Sequence, residues 1–157
     1  MNNFVNLLTL SRILLAPIIL FFIIFDNYLT ATLFFFLAGV TDYLDGYFAR
    51  KYNAESQIGE ILDPIADKIL VVFILFGLSV NLSSYLIASL GSIILAREIG
   101  VAALRDYSSR NNMSDLMKVT FVAKIKTTIQ LFTITLYLLA LALKAYLLII
   151  IADIFFI

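Results

Sequence analysis

The chain alternates long apolar runs with short polar breaks, and the spacing of those breaks predicts a series of helices. Residues 1–12 (MNNFVNLLTLSR) are mildly amphipathic and read as an N-terminal segment lying at a membrane interface. A first apolar run covers about 13–25, with Pro17 a candidate kink. Asp26-Asn27 is a tight connection, and a second run covers about 28–48 before ending in charge. A polar stretch at 50–60, a run at 61–80, a short turn at 81–84 and a run at 85–104 follow. The longest polar stretch is 105–118, and a fifth run covers 119–143. The tail at 145–157 is apolar but thirteen residues long. As a helix it reaches about 20 Å, short of the roughly 30 Å hydrocarbon core of a bilayer.

These run lengths match membrane spans, which need about 20 apolar residues each. The expectation is therefore an all-α polytopic membrane bundle, a single domain over 1–157 with five full spans and a short sixth. Composition agrees. Of the 157 residues 62% are hydrophobic and the mean hydropathy is +1.03, whereas soluble domains are about 45–50% apolar. The leading segment carries Arg12 and has no small-residue cleavage signature, so it reads as retained sequence rather than a removed signal.

Charge sets an expected orientation. Arg12, Arg50, Lys51, Arg105, Arg110 and Lys118 fall at one set of helix ends, while the connections at 26–30 and 79–85 carry no Lys or Arg and the last carries only Lys144. By the positive-inside rule the first set, with the N-terminus, faces the cytoplasm. The basic residues are too dispersed for a nucleic-acid surface, and the aromatics scatter along the spans as packing and interface residues.

Cysteine and histidine are absent. Thiol nucleophiles, imidazole bases and the usual zinc ligands are thereby excluded. What remains is one dense polar cluster: Asp42, Asp45, Asp63 and Asp67. On helices, Asp42, Asp45, Gly46 and Ala49 form one stripe, and Gly59, Asp63, Ala66 and Asp67 form another. The short connection predicts antiparallel neighbours whose stripes face each other. Taken one at a time these residues have plain explanations. Asp63-Pro64 suits a helix N-cap, a lone aspartate can pair with a lysine, and a Gly/Ala stripe suits helix packing. Four carboxylates in two small-residue stripes at membrane depth are different, because their repulsion and desolvation cost several kcal/mol unless neutralised. Two hard divalent cations, Mg²⁺ or Mn²⁺, supply that neutralisation. The small residues leave room for a flat ligand such as a nucleotide base, and Arg50 at the rim suits a phosphate.

The spacing D-x2-D-G-x2-A-R-x8-G-x3-D-x3-D is met at all eight specified positions between Asp42 and Asp67. It resembles the signature of the CDP-alcohol phosphatidyltransferase family. Asn6 to Arg12, Ala96-Arg97-Glu98 with Leu104-Arg105, and Lys124 to Gln130 further resemble the bacterial branch that moves a phosphatidyl group from CDP-diacylglycerol to sn-glycerol 3-phosphate and releases CMP. The similarity covers about residues 4–135 and fades in the tail. It implies that Asp42, Asp45 and Asp63 hold the metals, with Asp67 the general base and a ligand of the second metal. Gly46, Arg50 and Ser56 would line the CDP site, and Asn6 and Thr9 would close over the nucleotide. Arg97, Arg105, Lys124 and Lys126 are the candidate ligands of the acceptor's phosphate. The plain alternatives are snorkelling for the lysines, an ion pair with Glu98 for Arg97, and an interface anchor for Arg105. A homodimer in the bacterial inner membrane is also implied.

Two other functions fit parts of this pattern. The first is the same chemistry with serine or an inositol phosphate as acceptor. The second is a divalent-cation transporter, although its site would sit near the midplane between structural repeats, and no internal repeat is visible. A catalytically inactive scaffold is disfavoured by the intact motif.

Overall fold

The computed structural model describes residues 2–52, 57–110 and 121–156, and these form six helices with no strand among them. They are α1 (Asn2–Ile24), α2 (Tyr28–Tyr52), α3 (Gln57–Asn81), α4 (Tyr85–Arg110), α5 (Phe121–Ala142) and α6 (Tyr146–Phe156). Leu7–Ile24 and Tyr85–Leu104 are long and apolar enough to cross a membrane. Tyr28–Leu44, Thr128–Ala142 and Tyr146–Phe156 are shorter apolar stretches. Large apolar side chains such as Leu14, Phe21, Leu33, Phe36, Ile93 and Ile154 are exposed around the bundle, as a lipid-facing surface requires. The chain is an all-α membrane bundle, as the hydrophobic pattern predicts.

Helix boundaries differ from the apolar runs in instructive ways. No separate interfacial segment precedes the first span: α1 is one helix through Pro17, and Thr9 and Arg12 on it are buried. Thr9 and Arg12 of this segment face the bundle rather than the membrane surface. α2 continues to Tyr52 and α3 starts at Gln57, so helix takes up most of the expected loop at 50–60. Likewise α4 runs on to Arg110. Pro64 lies inside α3, seven residues from its start, so Asp63 is not an N-cap. The eleven residues of α6 span only about 16 Å.

Three helical hairpins, α1–α2, α3–α4 and α5–α6, are closed by the same turn. In each, a residue with positive φ ends the first helix: Asp26 (58°), Ser83 (49°) and Lys144 (54°). Each donates its N–H three residues back, and the next residue donates five back: Asn27 to Phe22 at 2.9 Å, Ser84 to Ser79 at 3.0 Å, Ala145 to Ala140 at 2.9 Å. This is the Schellman closure, which satisfies orphan carbonyls at a helix C-terminus. All three turns lie at the end opposite the acids.

Packing centres on α1. It runs parallel to α3, as shown by Thr9 meeting Asp63, Arg12 meeting Asp67 and Ile23 meeting Asn81. α2 packs on its other side, α4 rests on α3, and α5 packs on α2 and pairs with α6. One face of each central helix carries the core. On α1 it is Thr9, Arg12, Ala16, Ile19 and Ile23; on α2 it includes Ala31, Phe35 and Ala38, one turn before Asp42; on α3 it includes Ala66, Leu70, Ile74 and Leu78. Gly77 of α3 lets α1 come close: a Cβ there would stand 2.9 Å from Leu20 Cδ1 and 3.2 Å from Ile23 Cγ2.

Two polar links fasten the periphery. The Tyr137 hydroxyl on α5 donates to Asp153 Oδ1 on α6 at 2.6 Å. At the turn end, Tyr28 and Asn81 both hydrogen-bond to Asp26, and Asn81 Nδ2 also reaches the carbonyl of Ile23 at 3.3 Å.

Candidate functional site

The acids gather at the polar end of the core stripe. Counting 1.5 Å per residue from the helix ends at that side, Arg12, Asp42, Asp63 and Asp67 all lie about 10–15 Å into the bundle. The parallel register of α1 and α3 creates the first contact: Thr9 and Asp63 come level, and the Thr9 hydroxyl donates to Asp63 Oδ1 at 2.7 Å. One turn on, Arg12 and Asp67 come level and form an ion pair. The same Arg12 nitrogen, Nη1, reaches Asp42 Oδ1 on α2 at 2.7 Å.

The two acid stripes therefore do not meet face to face as expected. Among the described residues α2 and α3 share no extensive interface; α1 lies between them, and Arg12 joins Asp42 to Asp67. Both carboxylates contact one nitrogen, so they stand no further apart than two hydrogen-bond lengths. Asp63 and Asp42 are also close enough to act on Asp67 electrostatically.

Burial is sharply divided. The Arg12 side chain is 1% exposed, whereas those of Asp42 and Asp67 are each 56% exposed. The guanidinium is enclosed behind the acids, and each acid keeps an open side toward a ligand. Arg12 entered the sequence reading as a cytoplasmic charge and as the end of the Asn6–Arg12 stretch, with no site role, yet it is buried between two of the acids. A signal existed: it is three residues from Thr9, on the same face of an otherwise apolar helix. A charge there must find partners, because burying it alone is prohibitively costly.

The other predicted site residues divide clearly. Asp42, Asp63 and Asp67 are brought together. Asp45 lies on α2 one turn after Asp42, and its side chain is outside the described residues, as are those of Asn6, Arg50, Arg105, Lys124 and Lys126. Ser56 is outside them altogether. Gly46 is half-buried on the α2 stripe. Thr9, expected over a nucleotide, is fully buried and its hydroxyl donates to Asp63. Arg97 pairs with Glu98 at 2.7 Å on the outer part of α4. Among the described residues α4 packs chiefly on α3, and α5 on α2 and α6.

The donor set suits hard cations: carboxylate oxygens only, with open sides and small neighbours at Gly46, Gly59 and Ala66. Among the described residues Arg12 is paired with both Asp42 and Asp67, and oxygen donors of this kind are those that hard divalent cations take. Among the described residues no group of three acids is close enough to hold one ion unaided; Asp45, the fourth acid of the motif, has its side chain outside that set.

Comparison with known proteins gives this geometry a context. The chain is similar to proteins named CDP-diacylglycerol–glycerol-3-phosphate 3-phosphatidyltransferase. That of Rickettsia typhi is 38% identical over 142 residues, 88% of this chain and 78% of the relative. That of Wigglesworthia glossinidia brevipalpis is 36% identical over 135 residues, 84% and 74% of the two chains. That of Salmonella choleraesuis is 33% identical over 132 residues, 82% and 72%. The sequence model of the CDP-alcohol phosphatidyltransferases matches residues 2–157, and the chain belongs to that family.

Proposed function

We propose that the chain transfers the phosphatidyl group of CDP-diacylglycerol to sn-glycerol 3-phosphate, giving phosphatidylglycerol phosphate and CMP in phospholipid biosynthesis. The observation that carries this is the junction of Asp42, Asp63 and Asp67 around Arg12 and Thr9, in a chain whose relatives bear the name of that activity. Asp42, Asp45, Asp63 and Asp67 would hold two divalent cations, Mg²⁺ or Mn²⁺. When bound, such cations neutralise charge developing on the leaving CMP and orient the pyrophosphate.

The chain's own residues do the rest. Asp67 is the general base: its exposed carboxylate takes the proton of the acceptor's 1-hydroxyl. The hydroxyl oxygen then bonds to the phosphatidyl phosphorus as the pyrophosphate P–O bond breaks, and CMP departs with the bridging oxygen. The attack is direct and in line, and no protein nucleophile is required. Gly46, Arg50, Ser56 and Asn6 serve the CDP moiety. Arg105, Lys124 and Lys126, with Arg97 once released from Glu98, serve the acceptor phosphate. Serine offers no phosphate for such cations, which favours the phosphorylated acceptor.

The site and the N-terminus face the cytoplasm in a bacterial inner membrane, because Lys and Arg concentrate at that end. The whole of 1–157 acts as one catalytic domain. The exposed apolar flank of α4, with Tyr85, Ile93 and Ile99, is available to lipid or to a second copy in a homodimer.

The test is CMP release by purified protein from CDP-diacylglycerol with a panel of acceptors, in EDTA and with added Mg²⁺ or Mn²⁺. Glycerol 3-phosphate alone should support release, and EDTA should abolish it reversibly. Preference for serine or an inositol phosphate would move the chain to another acceptor class. Cation transport by vesicles without CMP release would replace the enzyme reading.

A further inference from the structure

We propose that Arg12 is the internal counter-cation of this centre, competing with divalent metal for the same oxygens of Asp42 and Asp67. The inference rests on the metal reading above and goes beyond it. One nitrogen of Arg12 holds an oxygen from α2 and another from α3, and the side chain is 1% exposed. This is a committed, enclosed charge and not a mobile one. It allows the centre to fold with two acids side by side before any metal arrives, since each would otherwise stand beside an uncompensated like charge. The open sides of Asp42 and Asp67 admit a cation. A guanidinium and a dication on the same carboxylates repel each other, so binding the second loosens the first. Metal affinity in this protein is thus set by an exchange, and Arg12 is a positioning residue whose removal strengthens metal binding while weakening the metal-free fold.

Two readouts separate this from a merely structural role. Mn²⁺ affinity is measured by the electron paramagnetic resonance signal of free Mn²⁺, and thermal unfolding in detergent is followed in EDTA and in Mn²⁺. Arg12→Met should bind Mn²⁺ about tenfold more tightly than wild type. It should melt lower in EDTA and gain more in Tm on adding Mn²⁺. Should Arg12→Met not fold, Arg12→Lys carries the test: it keeps the charge on a shorter side chain whose ammonium cannot reach the position of Nη1 between the two carboxylates, and should bind about threefold more tightly. Equal or weaker binding by the folded variant, with wild type binding normally, overturns the exchange. Absence of Mn²⁺ binding in folded wild type overturns the metal reading itself, and the exchange with it.

Discussion

Thr9 and Asp63 lie 54 positions apart in sequence, yet the Thr9 hydroxyl donates to Asp63 Oδ1 at 2.7 Å from a fully buried position. The contact fixes one acid of the family motif against α1. A hydrogen bond to a charged group contributes about 1.5–3 kcal/mol. Thr9→Val keeps the shape and removes the donor, so it should lower stability by about 2 kcal/mol and slow CMP release about tenfold, a loss of about 1.4 kcal/mol in transition-state stabilisation. Thr9→Ser should recover most of both. Thermal unfolding and the release assay check this together.

Asp67→Asn tests the base. The amide oxygen can still accept from Arg12, but it cannot take a proton at neutral pH. Removing a general base costs about 10²–10⁴ in rate, so kcat should fall at least about 100-fold. CMP release at near wild-type rate would remove Asp67 from that role.

Gly77 sits where α1 and α3 come closest. Leu20 can yield by rotating, but Ile23 Cγ2 and Cβ at 3.2 and 3.4 Å cannot retreat so easily. Gly77→Val should cost about 1–3 kcal/mol by overpacking. Because the same two helices align Thr9 with Asp63 and Arg12 with Asp67, it should also reduce activity despite its distance from the acids. Tm and specific activity of the purified variant are the measurements.

The hairpin turns carry side chains where glycine is easiest. Ser83 is exposed with φ of 49°, a left-handed backbone that costs a residue with a Cβ about 1 kcal/mol. Ser83→Gly should therefore raise Tm by a few degrees, about 2–4 °C per kcal/mol for a chain of this size, without altering activity.

Asp26 gives a pH dependence at the opposite end of the bundle. The Tyr28 hydroxyl at 2.5 Å, and then the Asn81 amide at 2.8 Å, hold its carboxyl below the ordinary value. A depressed folded pKa means stability that is complete above the unfolded value, about 3.9, and lost as pH falls through the folded one. Wild type should melt above Asp26→Asn near neutrality, and the gap should close in the acid range below about pH 4. Unfolding curves for both proteins across pH 2–7 report the difference with other carboxylates cancelled.

The hydrophobic pattern alone determined that this is a helical membrane protein and where its turns fall, and motif spacing singled out the four aspartates proposed to carry its chemistry. Those properties are local: run length sets a span, and motif spacing sets a helical face. The sequence also held Arg12, which was not singled out as a site residue, on the same face of α1 as Thr9, but it did not show the partner of either. Only tertiary structure decided that α1 packs between α2 and α3, parallel to α3, and that its arginine joins two acids expected to face each other directly. Helix order across a bundle depends on which surfaces approach most closely, as at Gly77, and that is a property of pairs of helices that no single run reveals. The same holds for Asp153, an isolated acid in an apolar tail until α6 brings it to the Tyr137 hydroxyl.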